Sequence, residues 1–173
     1  MSEELKIPKE RIAVLIGEKG QIKRKIQKLT NTQIVVSSKE GDVSIEGEDN
    51  FKVFLTLNII KAIGRGFNPE VALKLLKEDH VLEMISIHDF SGKSKKQEER
   101  IKSRVIGTQG KARATLERMT NTHISVYGKT ISVIGNVEDV HLAKRALDKL
   151  LNGTPHGNVY KFIDREKERQ EHL

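Results

Sequence analysis

The sequence predicts an α+β fold built twice in tandem: two small domains, each a three-stranded sheet packed on three helices, plus a helix at the C-terminus. Three observations predict it. Ile16-Gly17-Glu18-Lys19-Gly20 returns as Ile106-Gly107-Thr108-Gln109-Gly110. Thr30-Asn31-Thr32 returns at the same spacing as Thr120-Asn121-Thr122, each time ahead of alternating aliphatic residues. Val43-Ser44-Ile45-Glu46-Gly47 is answered by Ile131-Ser132-Val133-Ile134-Gly135. Self-similarity of this kind marks one supersecondary unit used twice. The domains are expected at 1–78, with a connector helix, and at 79–173, with the C-terminal helix.

In the first copy, Leu5-Lys6-Ile7 reads as a short strand and a helix leads into Gly17. After Gly20, Ile22, Ile26 and Leu29 recur at i, i+4, i+7 and predict a helix with that trio buried. Ile34 and Val36, then Val43 and Ile45, alternate with polar residues, the period of a half-buried strand pair turned at Gly41-Asp42. A longer helix follows over about 50–63, with Phe54, Leu57 and Ile60 among its apolar positions. Pro69 opens a connector helix to Lys77.

The second copy starts with a strand over about His80–Asp89, then a basic loop, Ser91-Gly92-Lys93-Ser94-Lys95-Lys96. Ala112, Leu116 and Met119 match the first trio. Ile124 and Val126, then Ile131 and Val133, form the strand pair, turned at Gly128-Lys129. Asn136 reads as the cap of a helix carrying Val140, Ala143, Leu147 and Leu150. A charged helix over Val159–Leu173 ends the chain.

Composition narrows the function. Net charge is +7 and the pI about 9.5, which favours a polyanionic partner. There are no cysteines, so a disulfide framework, a zinc knuckle and thiol catalysis are excluded. The six histidines show no metal-ligand spacing, and neither a Gly-x-Ser-x-Gly elbow nor a P-loop occurs. No metal, no cofactor and no enzymatic activity are expected. No apolar stretch approaches the ~18 residues of a membrane span, and Glu3 and Glu4 stand where a targeting peptide needs bases. A cytoplasmic protein without a membrane partner is expected.

The glycine corners are the candidate site. Glycine accepts positive φ and lets a ligand approach the backbone. The helix that follows points free N–H groups and its positive end at the corner, which suits phosphate. The first corner offers Gly17, Glu18, Lys19 and Gly20 with Lys23 and Arg24; the second offers Gly107, Thr108, Gln109 and Gly110 with Arg104, Lys111 and Arg113. Glu18 opposes phosphate while Thr108 and Gln109 are neutral, so the second corner is expected to bind at least as well.

At Ile16–Val36 and Ile106–Val126 the chain resembles the KH family. The resemblance spans nearly the whole chain and implies two tandem domains of the eukaryotic type (type I). It also implies a groove for about four single-stranded nucleotides. One wall would be the corner and its helices, the other the strand holding Ile34 or Ile124, with core packing as the competing reading of both isoleucines. An aromatic content of 4% fits an aliphatic groove better than the stacking platforms of an RRM or OB-fold.

Asn152-Gly153-Thr154-Pro155, Val159-Tyr160 and the basic helix are further similar to the "partner of Nob" ribosome-assembly factors, and intact Gly17 and Gly20 fit an archaeal member. That resemblance implies single-stranded RNA near the 3′ end of small-subunit ribosomal RNA as partner. It also implies an rRNA-processing endonuclease and a translation initiation factor. A protein-docking scaffold and single-stranded DNA binding are the alternatives.

Overall fold

Apolar alternation in the first copy becomes an antiparallel sheet. The computed structural model describes residues 1–173, in two units, Met1–Glu78 and Asp79–Leu173. In the first unit β1 (Ser2–Lys6), β2 (Gln33–Val36) and β3 (Asp42–Glu46) form a sheet of order β1-β3-β2. Glu4, Ser44 and Val35 stand in one row across it. Ile34, Val43 and Ile45 point the other way and are buried. Helices α1 (Lys9–Ile16), α2 (Gln21–Thr30) and α3 (Asn50–Gly64) pack on one another, and α3 lies against β1 and β3. Asp49 caps α3, accepting from Phe51 N–H at 2.9 Å. A short α4 (Pro69–Ala72), continued by a 3-10 turn at Leu73–Leu76, packs on α3.

The second unit repeats this plan with β4 (His80–Ser86), β5 (His123–Tyr127) and β6 (Thr130–Asn136), in the order β4-β6-β5. Its helices are α5 (His88–Ser91), α6 (Lys95–Ile106), α7 (Lys111–Thr120), α8 (Val137–Leu151) and α9 (His156–Glu171). Ile87, Val105, Leu116, Ile131, Val133 and Leu147 centre one hydrophobic core, and Val159, Phe162 and Ile163 bring α9 into it. Arg145 and Lys149 of α8 stand over the Phe162 ring at 5.0 and 4.7 Å, which favours the same docking.

Several elements depart from the sequence expectation. The first strand is five residues long and begins at Ser2. β4 stops at Ser86, and the expected basic loop is split: Ser91 ends α5, while Lys95 and Lys96 open α6, capped by Ser94. Leu29 is 51% exposed. The buried residues of its helix are Ile26 and Thr30, and the Thr30 hydroxyl donates to Ile26 C=O at 2.7 Å and bonds Thr32 Oγ1 at 2.7 Å. Thr120 and Thr122 do the same in the second unit.

The Thr-Asn-Thr tripeptide is therefore a helix stop. Asn31 and Asn121 adopt the left-handed conformation, at φ 52° and 54°. The N–H groups of Asn31 and Thr32 both fold back on Gln27 C=O, as those of Asn121 and Thr122 do on Glu117 C=O. Asn is among the few residues that accept this geometry, and the paired hydroxyls satisfy each other in the interior.

Candidate nucleic-acid interface

Each glycine corner is one 3-10 turn between two helices. At the second, Gly110 N–H reaches Gly107 C=O at 3.2 Å and Lys111 N–H returns to Thr108 C=O. Thr108 and Gln109, first in the turn, have no intrahelical acceptor for their own N–H groups. Both side chains are exposed. The first corner repeats this at Gly17–Gly20, and neither α2 nor α7 has a side-chain cap. All four glycines have positive φ, as do the apex residues Lys19 and Gln109.

The two glycines of each pair differ in task. A Cβ on Gly107 would stand 2.6 Å from Ala112 Cβ, and one on Gly17 would overlap the Ile22 side chain, so the first glycine is demanded by packing. A Cβ on Gly110 would meet nothing within 4 Å; that glycine faces open space. Gly20 differs, because a Cβ there would stand 2.9 Å from an Arg24 guanidinium nitrogen. Arg24 thus sits over the first corner, while the second corner is bare.

Edge strands β2 and β5 are the elements expected to form the opposite wall. Ile34 N–H donates to Gln27 Oε1 at 2.8 Å, and Ile124 N–H to Glu117 Oε2 at 3.0 Å, so each strand is pinned to the helix before it. Glu117 also lies 3.7 Å from Arg113 Nε, which places Arg113 on the strand side of α7. Lys23 holds the matching position on α2.

The isoleucine side chains are not part of that wall. Ile34 is 1% and Ile124 2% exposed, because period two turns both inward. The aliphatic groups beside the corners are Ile16, half-buried, and Ile106, 36% exposed, the residues just before the first glycines. Sequence patterning recorded both as part of the repeat without marking them as surface. Ile124→Ala is expected to cost about 2–5 kcal/mol, the usual range for emptying such a core position. Denaturant unfolding measures that loss, and RNA affinity of the folded fraction is expected to stay unchanged.

The expected cations of the second corner divide between two sides. Arg113 is two residues beyond Lys111, about 200° round the helix. Lys111 and Arg104 instead line an open recess of about 530 Å³ on the other flank, with Arg100, Ser103, Thr108 and Thr115, bordered by His156 and Tyr160 of α9. His156 Nε2–H donates to Arg104 C=O at 2.8 Å, a carbonyl orphaned where α6 ends, and Arg104 Nη2 donates to Thr154 C=O at 2.7 Å. Arg11 makes a similar clasp in the first unit, donating to Phe67 C=O at 2.9 Å. Sequence reading missed His156 and Tyr160, whose place depends on contacts across about fifty residues.

Residues 81–168 match the eukaryotic-type KH domain (KH-domain type I), and residues 2–56 match the KH domain. A KH domain-containing protein of Methanocaldococcus jannaschii is 44% identical over 169 residues, 95% of this chain and 74% of that protein. The RNA-binding protein pno1 of Dictyostelium discoideum is 28% identical; the match covers 89% of this chain and only 66% of that protein. Among solved structures, the complex of a/eIF2alpha, aDim2p and rRNA from Pyrococcus horikoshii contains a chain that superposes with a TM-score of 0.90 at 44% identity. That match covers 98% of this chain and 95% of the other. No helix is long and apolar enough to cross a membrane.

Proposed function

The chain belongs to the type I KH-domain family, and from that premise we propose that it binds single-stranded RNA at its glycine corners, the second foremost, in maturation of the small-subunit ribosomal RNA 3′ end. One observation carries this reading. At the second corner a bare glycine is joined by two N–H groups without an acceptor, on exposed residues at the start of the helix that carries Arg113. Such a corner fits a phosphate, and the cleft beside it fits unstacked bases. Gly17, Glu18, Lys19, Gly20, Lys23 and Arg24 form the secondary corner. The chain acts here as a binding protein and not as an enzyme.

Similarity to aDim2p, solved with rRNA and a/eIF2alpha, supports ribosomal RNA as the ligand and an initiation factor as a protein partner. The name of a Gibberella zeae relative, pre-rRNA-processing protein PNO1, supports a place in ribosome assembly. Docking of an rRNA-processing endonuclease, and a cytoplasmic setting, belong to the same reading.

Fluorescence anisotropy with matched single-stranded RNA and DNA over a salt series tests it. RNA is expected to bind more tightly than DNA, with affinity falling as salt rises, at a log–log slope of about −0.7 per phosphate contacted. Equal binding of the two strands would favour the DNA alternative, and no binding of either would favour a protein scaffold.

A further inference from the structure

The cavity behind the second corner has no role in the groove just described. Ten residues line it, and none is acidic. Arg100, Arg104 and Lys111 supply cations, Ser103, Thr108 and Thr115 hydroxyls, and His156 and Tyr160 rings whose centroids lie 6.3 Å apart at 56°. Arg104 Nε is buried without an acceptor, so its charge is only partly answered by Thr154 C=O. The recess, about 530 Å³, is open to solvent, as a strand passing over it requires.

Cations alone would suit any anion. Cations, hydroxyls and a ring surface in one recess suit a nucleotide, whose phosphate needs the first two and whose base needs the third. The route is also present. Gly107 and Thr108 border the cavity, while Arg113 and β5 lie on the other side of the same corner. A strand leaving the groove over this corner meets only glycines and the uncharged side chains of Thr108 and Gln109.

We propose that this cavity is a second RNA subsite, holding one nucleotide that flanks those in the groove, with its phosphate at Arg100, Arg104 and Lys111 and its base against Tyr160. In this arrangement α9 does more than complete the core. His156 holds it against the end of α6, which sets Tyr160 beside the corner. In the first unit that place in sequence holds only the four-residue α4 and its 3-10 turn, where the second unit has the sixteen-residue α9. The subsite belongs to the second unit alone.

The inference rests on RNA binding at the corner, and the test separates the two. Two randomised RNA pools are compared by anisotropy, one just long enough for the groove, about four nucleotides, the other extended at both ends. Arg100→Gln and Tyr160→Ala are each expected to weaken the extended pool roughly tenfold, the scale of one stacked or charge-paired nucleotide, and to leave the short pool unchanged. Arg100 is exposed, so its substitution leaves the core intact even if Tyr160→Ala loosens α9. Ultraviolet crosslinking of the extended pool is expected to mark the peptide holding Tyr160. Both variants binding the extended pool as tightly as the parent would overturn the subsite while leaving the corner. An oligo-glutamate peptide whose binding Arg100→Gln abolishes, with RNA binding unmoved, would overturn it in favour of a protein ligand. Failure of the parent protein to bind either pool would overturn the RNA reading itself.

Discussion

Thr108→Asp combined with Gln109→Asp is expected to lower the affinity for single-stranded RNA about a hundredfold while leaving the melting temperature within about two degrees. The second corner carries no acid, its apex N–H groups have no acceptor, and its glycine is uncovered. A carboxylate at either position would stand beside the phosphate that the corner cradles. At contact distance a pair of like charges costs about 1 kcal/mol in water and about 4 at the effective dielectric of a protein surface, so two exposed carboxylates reach a hundredfold in the lower part of that range. Folding is spared because both side chains are exposed, and aspartate accepts the left-handed backbone that Gln109 already has, at φ 56°. The Asn pair at the same positions is the control and is expected to bind like the parent. Lys19→Asp in the first unit is expected to cost less, because Arg24 stays over Gly20 and answers the added charge.

Gly107→Ala is expected to fail in the opposite way, losing stability first. Its φ of 74° with ψ of 174° lies in a region open essentially to glycine alone, worth about 1–3 kcal/mol of strain for alanine. The new Cβ would also press on Ala112 Cβ at 2.6 Å and on Ala112 N at 2.8 Å, and backbone cannot yield as a flexible side chain does. Together these give roughly 2–5 kcal/mol, a fall in melting temperature of roughly 10–20 °C for a unit of this size. Gly110→Ala separates the two glycines. Its Cβ enters open space, so only the strain of a positive φ remains, about 1 kcal/mol. The methyl group stands where a ligand would approach, so RNA affinity is expected to fall more than stability. Thermal melts and anisotropy on the two variants, side by side, check the division.

Much of this was legible in the chain because it is local. The paired glycines, the Asn136 cap and the strand alternation depend on residues a few positions apart, and each lies where spacing put it. Leu29 was misplaced because an i, i+4, i+7 count admits only apolar residues, whereas the face is completed by Thr30, whose hydroxyl is satisfied within the helix. Thr-Asn-Thr stood out as a repeat, yet its reason, a left-handed asparagine between two bonded threonines, is visible only in three dimensions.

The candidate site was half legible. Residues 17–20 and 107–110 adopt the corners that their glycines require. Ile34 and Ile124 were drawn into the groove by family resemblance, but their own alternation turns them into the core, and Ile16 and Ile106 hold the aliphatic positions beside the corners instead. No spacing rule groups Arg100 and Arg104 with His156 and Tyr160, because the grouping is made by the packing of α9 on α7 and α8.

An amide-resolved NMR titration with a short single-stranded RNA tests the central claim most directly. The largest shifts are expected at the backbone N–H groups of Thr108, Gln109 and Gly110, with smaller ones along β5 and at Gly17–Gly20. Unmoved amides at 107–110, with the principal shifts on α3 or β4, would contradict the claim that this corner receives the RNA strand.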